Sequence, residues 1–387
     1  MNPTPVRPPA RIAVVGAGPG GLICARVLQR HGIDVTVYDL DASATVRDQG
    51  GTLDMQPDTG QYALRAAGLW DDFTPLARPE GDQWRLVGRD GRTMFDGAPP
   101  GDGQVSPEID RGQLRDLLIG SLAPGTVRWG HRLDHAEPLG DGRHRLHFAH
   151  GESTDTDLVV GADGAWSRVR RLVSDATPRY TGVTFVETGL NDADTRHPEL
   201  AALTGAGTMM ALDDNLGLVA QRNSGGHIRV YVGIRTPEDG LRQAGVDPAA
   251  PADPAAVREV LLARFADWSP ALHGFITDTD TGYIHRPLFA LPVPHAWDHT
   301  EGVTLLGDAA HLMSPFSGMG ANLAMRDGAD LARALVDHST VDEALTAYEK
   351  VLLPRSAEAA EGAAGALDSA FATDSAEQIL AHMTAHH

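Results

Sequence analysis

The chain has 387 residues, 42% of them apolar and 22% charged, which is enough for two domains with real cores. Its 52 Asp and Glu outnumber 32 Lys and Arg, and a formal charge of −20 excludes nucleic acid and anionic membrane as attracted partners. A single cysteine, Cys24, excludes an internal disulfide framework, and no apolar run approaches the ~18 residues of a spanning helix.

These features lead us to expect a cytoplasmic protein, monomeric or weakly dimeric, whose partner is a small molecule. Residues 1–10, MNPTPVRPPA, read as a Pro-rich disordered leader. Arg7 and Arg11 before IAVVGAG superficially resemble a secretion signal. The apolar run is short, however, and passes straight into glycines, so it reads as a first strand.

From Arg11 the order is strand (IAVVGA), glycine turn, helix (GLICARVLQRHG) and strand (IDVTVYD), a β-α-β unit. GQYALRAAGLW carries helical periodicity, and QWRLVGRDGRTMF alternates around Asp90-Gly91 as a hairpin does. IDRGQLRDLLIGSLA places Leu114, Leu117, Leu118 and Leu122 on one helical face, and residues 127–164 return to strand patterns ending in LVVGADG. The stretch 176–290 has short alternating strands, a Pro/Ala-rich loop at 247–256 and one helix, VREVLLARFADW. GVTLLGDAAH is again a buried-strand pattern, followed by a helix from about Ala321 to Asp337 and an Ala- and Glu-rich helical segment at 341–372.

Gly16-Ala17-Gly18-Pro19-Gly20-Gly21 satisfies G-x-G-x-x-G between a strand and a helix. Gly16 permits the tight turn, Gly18 lets backbone approach a pyrophosphate, and Gly21 allows close helix packing. Asp39 ends the next strand, where an acid accepts from ribose hydroxyls. A second constellation narrows the ligand. Leu305-Leu306-Gly307-Asp308 sets an acid at the end of a buried strand, and Gly318-Met319-Gly320-Ala321-Asn322 opens another helix. A flavin needs both, a hydroxyl acceptor for its ribityl chain and bare backbone beside its ring. Cys24 reads as core packing, without a resolving partner, and His311 as a structural hydrogen-bonder. Asp163-Gly164 reads either as an ordinary turn or as a second ligand-facing motif. Arg168, Arg170 and Arg171 after it hint at an anionic ligand such as a nicotinamide dinucleotide. The terminal AHMTAHH has irregular histidine spacing, and no metal site is assigned.

On GAGPGGL, GIDVTVYD, GGTLDM, EIDRGQLRDLL and GDAAHLMSPFSGMGAN the chain resembles the FAD-dependent aromatic hydroxylases, the class A flavoprotein monooxygenases. Within them it is most similar to the tetracycline-inactivating enzymes. The resemblance implies an α/β fold with a doubly wound, Rossmann-like FAD-binding domain, a β-sheet substrate domain and a long C-terminal helix. The FAD-binding domain would comprise 11–82, 102–175 and 291–340. The substrate domain would comprise the hairpin 83–101 and 176–290, with 341–387 as the helical C-terminal segment.

The resemblance also implies roles. Asp39 would bind the adenosine ribose, and Asp308 the ribityl chain or pyrophosphate. Arg111 would contact the flavin's linker, with Arg115 as a weaker candidate. Asp54 would lie near the isoalloxazine edge, with Gly318, Gly320 and Asn322 on the pyrimidine side. No protein nucleophile is implied; NAD(P)H and O2 would act through a C4a-hydroperoxyflavin to hydroxylate an electron-rich polycyclic or polyketide-like molecule. Baeyer–Villiger or epoxidation chemistry, or a flavoprotein that only sequesters its ligand, are the alternatives. Two departures stand out. Asp39-Leu40 replaces the Glu-Arg pair common in the family. Glu187, Thr208 and Tyr231 align with the Gln, Arg and His of the tetracycline enzymes' substrate sheet. Met209, Met210, Phe316 and Met319 are further candidates for an apolar substrate cavity.

Overall fold

The computed structural model describes residues 10–46, 50–97, 105–245 and 253–385. The leader (except Ala10), residues 98–101 of the anticipated hairpin segment and most of the 247–256 loop lie outside them. Two sheets of different character organise the molecule, as an α/β fold requires. The first is parallel and five-stranded, in the order Val303–Leu305, Leu158–Gly161, Ile12–Val15, Val35–Tyr38 and Val127–Arg128. Its central strands IAVV and LVVG are buried at every residue, which is why they read as unbroken apolar runs and not as alternation. The fingerprint helix Pro19–Arg30 and the helix Met319–Asp337 pack together against this core. Part of the core comes from Leu133, Leu146 and Phe148 of a three-stranded antiparallel sheet spanning 133–156, which strand periodicity alone did not separate from its neighbours.

The second sheet has seven strands, ordered Ile284–Ala290, Arg179–Leu190, Ile228–Arg235, Leu216–Arg222, Thr208–Asp213, Trp84–Val87 and Thr93–Gly97. The expected hairpin around Gly91 (φ 82°) forms its edge. One face carries Val186, Leu190, Met209, Ala211, Leu218, Ala220, Val230 and Val232, which pack on Val257, Leu261, Leu272 and Phe275 of the helices Pro254–Arg264 and Pro270–Thr277. The first of these helices was legible, three residues earlier than anticipated because Asp253 caps it; the second was not anticipated. The opposite face is set by register. Glu187 pairs with Tyr231, Tyr231 with Val219 and Val219 with Met210, while Thr208 pairs with Gln221 and Gln221 with Arg229. Residues directly opposite share a face, so these side chains form two adjacent rows.

A ribbon of Thr52–Asp54 paired with Glu108–Asp110 lies between the sheets. Arg78 ties it to the seven-stranded sheet, donating to Asp110 (2.7 Å), Thr52 (3.1 Å), Ser224 (2.7 Å) and the Arg222 carbonyl (3.2 Å). The C-terminal helix Val341–Ala370 starts at a capping box between Thr340 and Glu343. It delivers Phe371 to the second sheet, where Ile379 of the following helix Ser375–Ala385 joins it.

Candidate functional site

The carboxyl ends of four adjacent parallel strands deliver Asp308, Asp163, Gly16 and Asp39 side by side. That edge is where open α/β sheets bind ligands. Gly16 has φ 113°, and a Cβ there would lie 2.1 Å from the Ala162 carbonyl oxygen, so no other residue fits. A Cβ on Gly21 would lie 2.3 Å from the Gly16 oxygen. Gly18 differs: its φ of −77° is ordinary, and a Cβ would meet no protein atom within 4 Å. It faces open space beside a helix N-terminus, whose first-turn amides have no intrahelical acceptor. Gly320 likewise opens on empty space at the start of its helix, while Gly318 (φ 66°) lies beside the Asp54 and Gln56 side chains. Asp308 is exposed and makes no hydrogen bond or ion pair among the described residues. Two bare helix starts with an unpartnered acid nearby form a cradle that fits a flavin dinucleotide.

Asp39 is buried and accepts from the amides of Ala17 (2.6 Å) and Asp41 (2.8 Å), bracing the fingerprint turn. Its two oxygens keep lone pairs for a ribose. Asp54 sits at the ribbon's end beside Gly318, hydrogen-bonded by Gln56 at 2.9 Å. Burial pushes its carboxyl up to about 6, against the opposing Gln56 hydrogen bond. Arg111 is exposed, its amide donating to the Gly51 carbonyl at 3.0 Å, and a Cβ on Gly50 would touch its side chain at 3.6 Å.

Several expectations need correction. Asn322 does not present its side chain to a ligand. It is fully buried, accepts from the amides of Gln56 and Gly60 (3.1 Å each), and donates to the carbonyls of Asp54 (2.7 Å) and Gly318 (3.3 Å). It staples the segment 54–60 to the helix. Arg115 is buried over Trp129 and donates to Asp41 and the Ala44 carbonyl, so these donors are taken up within the protein. Arg170 is not part of a surface cationic patch, because it is buried with its donors on the carbonyls of Ala309, Ala165 and Ala176. Asp163 caps its own turn, accepting from Ser167 and from the Arg168 amide.

On the second sheet, Glu187, Thr208, Met210 and Tyr231 share one face, while Met209 points to the helical side. Phe316 meets Phe185 (5.8 Å) and Phe371 (5.5 Å) over that face, in one apolar group with Met210, Tyr231 and Leu288. Met319 does not join it and packs instead with Met313, Leu323, Ala360 and Ala363. Glu187 is not an isolated charge; Arg229 and Arg286 both donate to it, leaving the trio net cationic. A Cβ on Gly51 would lie 2.9 Å from the Tyr231 hydroxyl and 3.1 Å from Gln221, so ribbon and sheet face meet here.

Other contributors carried no sequence signal of their own. Glu108 is buried with Thr52 donating to it, and burial pushes its carboxyl up to about 8. Asp327 accepts from the Gly307 amide (3.0 Å), His311 (2.6 Å) and Arg355 (2.9 Å), fixing the turn that presents Asp308. Burial alone would lower His311, but the Asp327 carboxylate beside it holds it raised.

Fold and site together define a flavin-dependent oxidoreductase, and comparison with known proteins agrees. Residues 10–203 and 296–363 match the FAD binding domain family, to which this chain belongs. The monooxygenase penA of Penicillium thymicola is 32% identical over 95% of this chain and 97% of its own. The 3-amino-4-hydroxybenzoate 2-monooxygenase PtnB3 of Streptomyces platensis is 35% identical over 89% of this chain and 84% of its own. Among solved structures, Klebsiella pneumoniae HpxO complexed with FAD and uric acid has the same fold, with a TM-score of 0.77 at 21% identity over 97% of this chain and 96% of its own. So does the tetracycline destructase Tet(55), with a TM-score of 0.74 at 19% identity over 98% and 97%. The protein is an FAD-dependent monooxygenase of the aromatic hydroxylase type.

Proposed function

We propose that the enzyme uses NAD(P)H and O2 to hydroxylate an electron-rich, largely apolar ring system, polycyclic or polyketide-like. The observation that carries this reading is the meeting of Gly51 with Tyr231 and Gln221, which sets the ring-side ribbon against an aromatic-lined sheet face. Bound FAD supplies electron transfer from the reductant and activation of oxygen. The chain supplies position and electrostatics. Gly18 and the helix start behind it would receive the pyrophosphate, Asp39 the adenosine ribose and Asp308 the ribityl hydroxyls. The N-terminus of Met319–Asp337 would offer amides and a positive dipole end to the negative edge of the reduced ring. Phe185, Phe316, Phe371 and Met210 would exclude water and hold the substrate plane, with Tyr231 and the Glu187–arginine trio orienting its polar substituents.

The test is incubation of the FAD-loaded enzyme with NADH or NADPH, labelled dioxygen and a panel of polycyclic phenols. We expect substrate-stimulated oxidation of the nucleotide and a product heavier by one labelled oxygen. A flavin that neither nucleotide reduces, or a product lacking the label, would overturn the proposal.

A further inference from the structure

Behind Asp39, at the outer end of the parallel sheet, three side chains converge whose chemistry the monooxygenase reaction does not use. His131 follows the strand Val127–Arg128; His150 and Glu152 lie in the turn joining Arg143–Phe148 to Ser153–Thr156. One ligand atom from each lies within 4.8 Å of the other two. Nε2 of His131 is 3.6 Å from the Glu152 carboxylate and Nε2 of His150 is 3.4 Å from it. A tetrahedral zinc ion with ligands at roughly 2.0–2.1 Å sets those ligands about 3.3–3.4 Å apart, so two edges of the tetrahedron are nearly formed.

The tautomer is also set. Nδ1 of His131 lies 2.8 Å from the Trp129 carbonyl, which can only accept, so Nδ1 carries the proton and Nε2 is the nitrogen left to bind a cation. A histidine donating its second nitrogen to a backbone carbonyl is the usual support of a metal-bound imidazole. Both rings rest on Phe148, His131 edge-on at 5.0 Å and His150 stacked at 5.9 Å. The main chain holds both supports. The His131 amide donates to the Asp39 carbonyl (2.8 Å), the Phe148 amide to the Glu152 carbonyl (2.9 Å), and the Ala149 amide to the Arg132 carbonyl (2.9 Å).

We propose that His131, His150 and Glu152 bind one divalent cation of zinc's class, with solvent in the fourth position, riveting the 143–156 hairpin to the end of the parallel sheet. Two nitrogens and one carboxylate select zinc, cobalt or nickel over calcium or magnesium. The role is structural, because the cation clasps two segments that main-chain and ring contacts bring together.

The test is calorimetric titration of full-length, FAD-loaded protein with zinc chloride at neutral pH, beside His150→Asn and Glu152→Gln. Both positions lie in a solvent-facing turn, and the variants keep every other histidine, including His382, His386 and His387. We expect one saturable zinc per chain, weakened at least tenfold in each variant. Zinc should raise the melting temperature of the parent protein but not of the variants. Cobalt should give the parent the visible absorption of a tetrahedral ion, and the variants none. Equal affinity in parent and variants would place the cation elsewhere and overturn the proposal, as would absence of saturable binding in the parent.

Discussion

A methyl group added at Gly16 and a larger one added at Gly18 should fail in opposite ways. At Gly16 it meets the Ala162 carbonyl oxygen at 2.1 Å from a backbone with φ 113°, so Gly16→Ala should lower the melting temperature even without FAD. At Gly18 it meets nothing within 4 Å and φ is ordinary, so Gly18→Val should fold normally and lose its yellow colour. Flavin absorbance per chain beside a thermal melt separates the two; a Gly18→Val protein that keeps its FAD would place the cofactor elsewhere. Asp308→Ala removes an exposed acceptor that makes no hydrogen bond among the described residues, so stability should stand while FAD affinity falls tenfold or more, for a hydrogen bond of about 1.5–3 kcal/mol. Glu108 acts on stability through pH. Burial raises its carboxyl from 4.5 to about 8, so between those values the folded chain holds a proton that the unfolded chain has released. Its contribution is most favourable below pH 4.5 and declines as pH rises toward 8. Glu108→Gln keeps an acceptor for Thr52 and should flatten that decline, stabilising the protein near pH 8 by on the order of 2 kcal/mol. Denaturant titrations at pH 5 and pH 8 would read it, and a parent protein equally stable at both would refute it. The glycines were legible because G-x-G-x-x-G is contiguous. Glu108 was not, because its burial depends on Gly81, Thr52 and Arg78 arriving from separate segments.

Between elements, a close approach joins the fingerprint helix to Met319–Asp337. A Cβ on Gly328 would lie 2.2 Å from the Gly20 carbonyl oxygen, and one on Gly20 would lie 2.4 Å from that of Ala324. Both clashes are with main chain, so the helices must separate. Gly328→Ala should cost about 1–3 kcal/mol, within the usual range for overpacking, and should also weaken FAD by displacing the helix start behind Gly18. A melt and a flavin titration together test this; unchanged values in both would mean that the crossing relaxes freely. Sequence periodicity located both helices, and the register of their crossing was beyond it, because Gly20 and Gly328 are far apart in the chain. The small antiparallel sheet at 133–156 was blurred for a related reason. Leu133–Gly140 is mostly exposed and polar, so it lacks the alternation that marks a strand with one buried face. The site at His131, His150 and Glu152 shares that cause, since no motif spacing links a loop residue to a distant turn.

At the scale of the whole molecule, two sheets meet across the ribbon at 52–54 and 108–110, and the proposed substrate would enter between them. The sequence alignment placed Glu187, Thr208 and Tyr231 opposite the polar groups of the tetracycline enzymes, and the register puts all three on one face with Met210. Glu187 is held by Arg229 and Arg286, so an anionic enolate would meet a net cationic trio and not a repelling acid. We therefore expect polarity, and not charge, to disfavour tetracycline. The neighbouring surface is Phe185, Met210, Leu288, Phe316 and Phe371, and each hydroxyl or amide buried there without a partner costs about 1–3 kcal/mol. A ligand with several such groups on its contacting face should therefore lose on the order of a hundredfold or more in kcat/KM against a planar phenol of similar size. The measurement is oxygen incorporation into tetracycline beside less oxygenated polycyclic phenols under identical conditions. Turnover of tetracycline at the rate of the best phenol would show that this face does not contact the substrate. Glu187→Gln supplies the complementary arm. It removes the negative charge that Arg229 and Arg286 share, so affinity should rise for substrates carrying a carboxylate or acidic phenol and stay level for neutral ones. A uniform loss across both classes would instead mean that the trio holds the sheet and not the substrate.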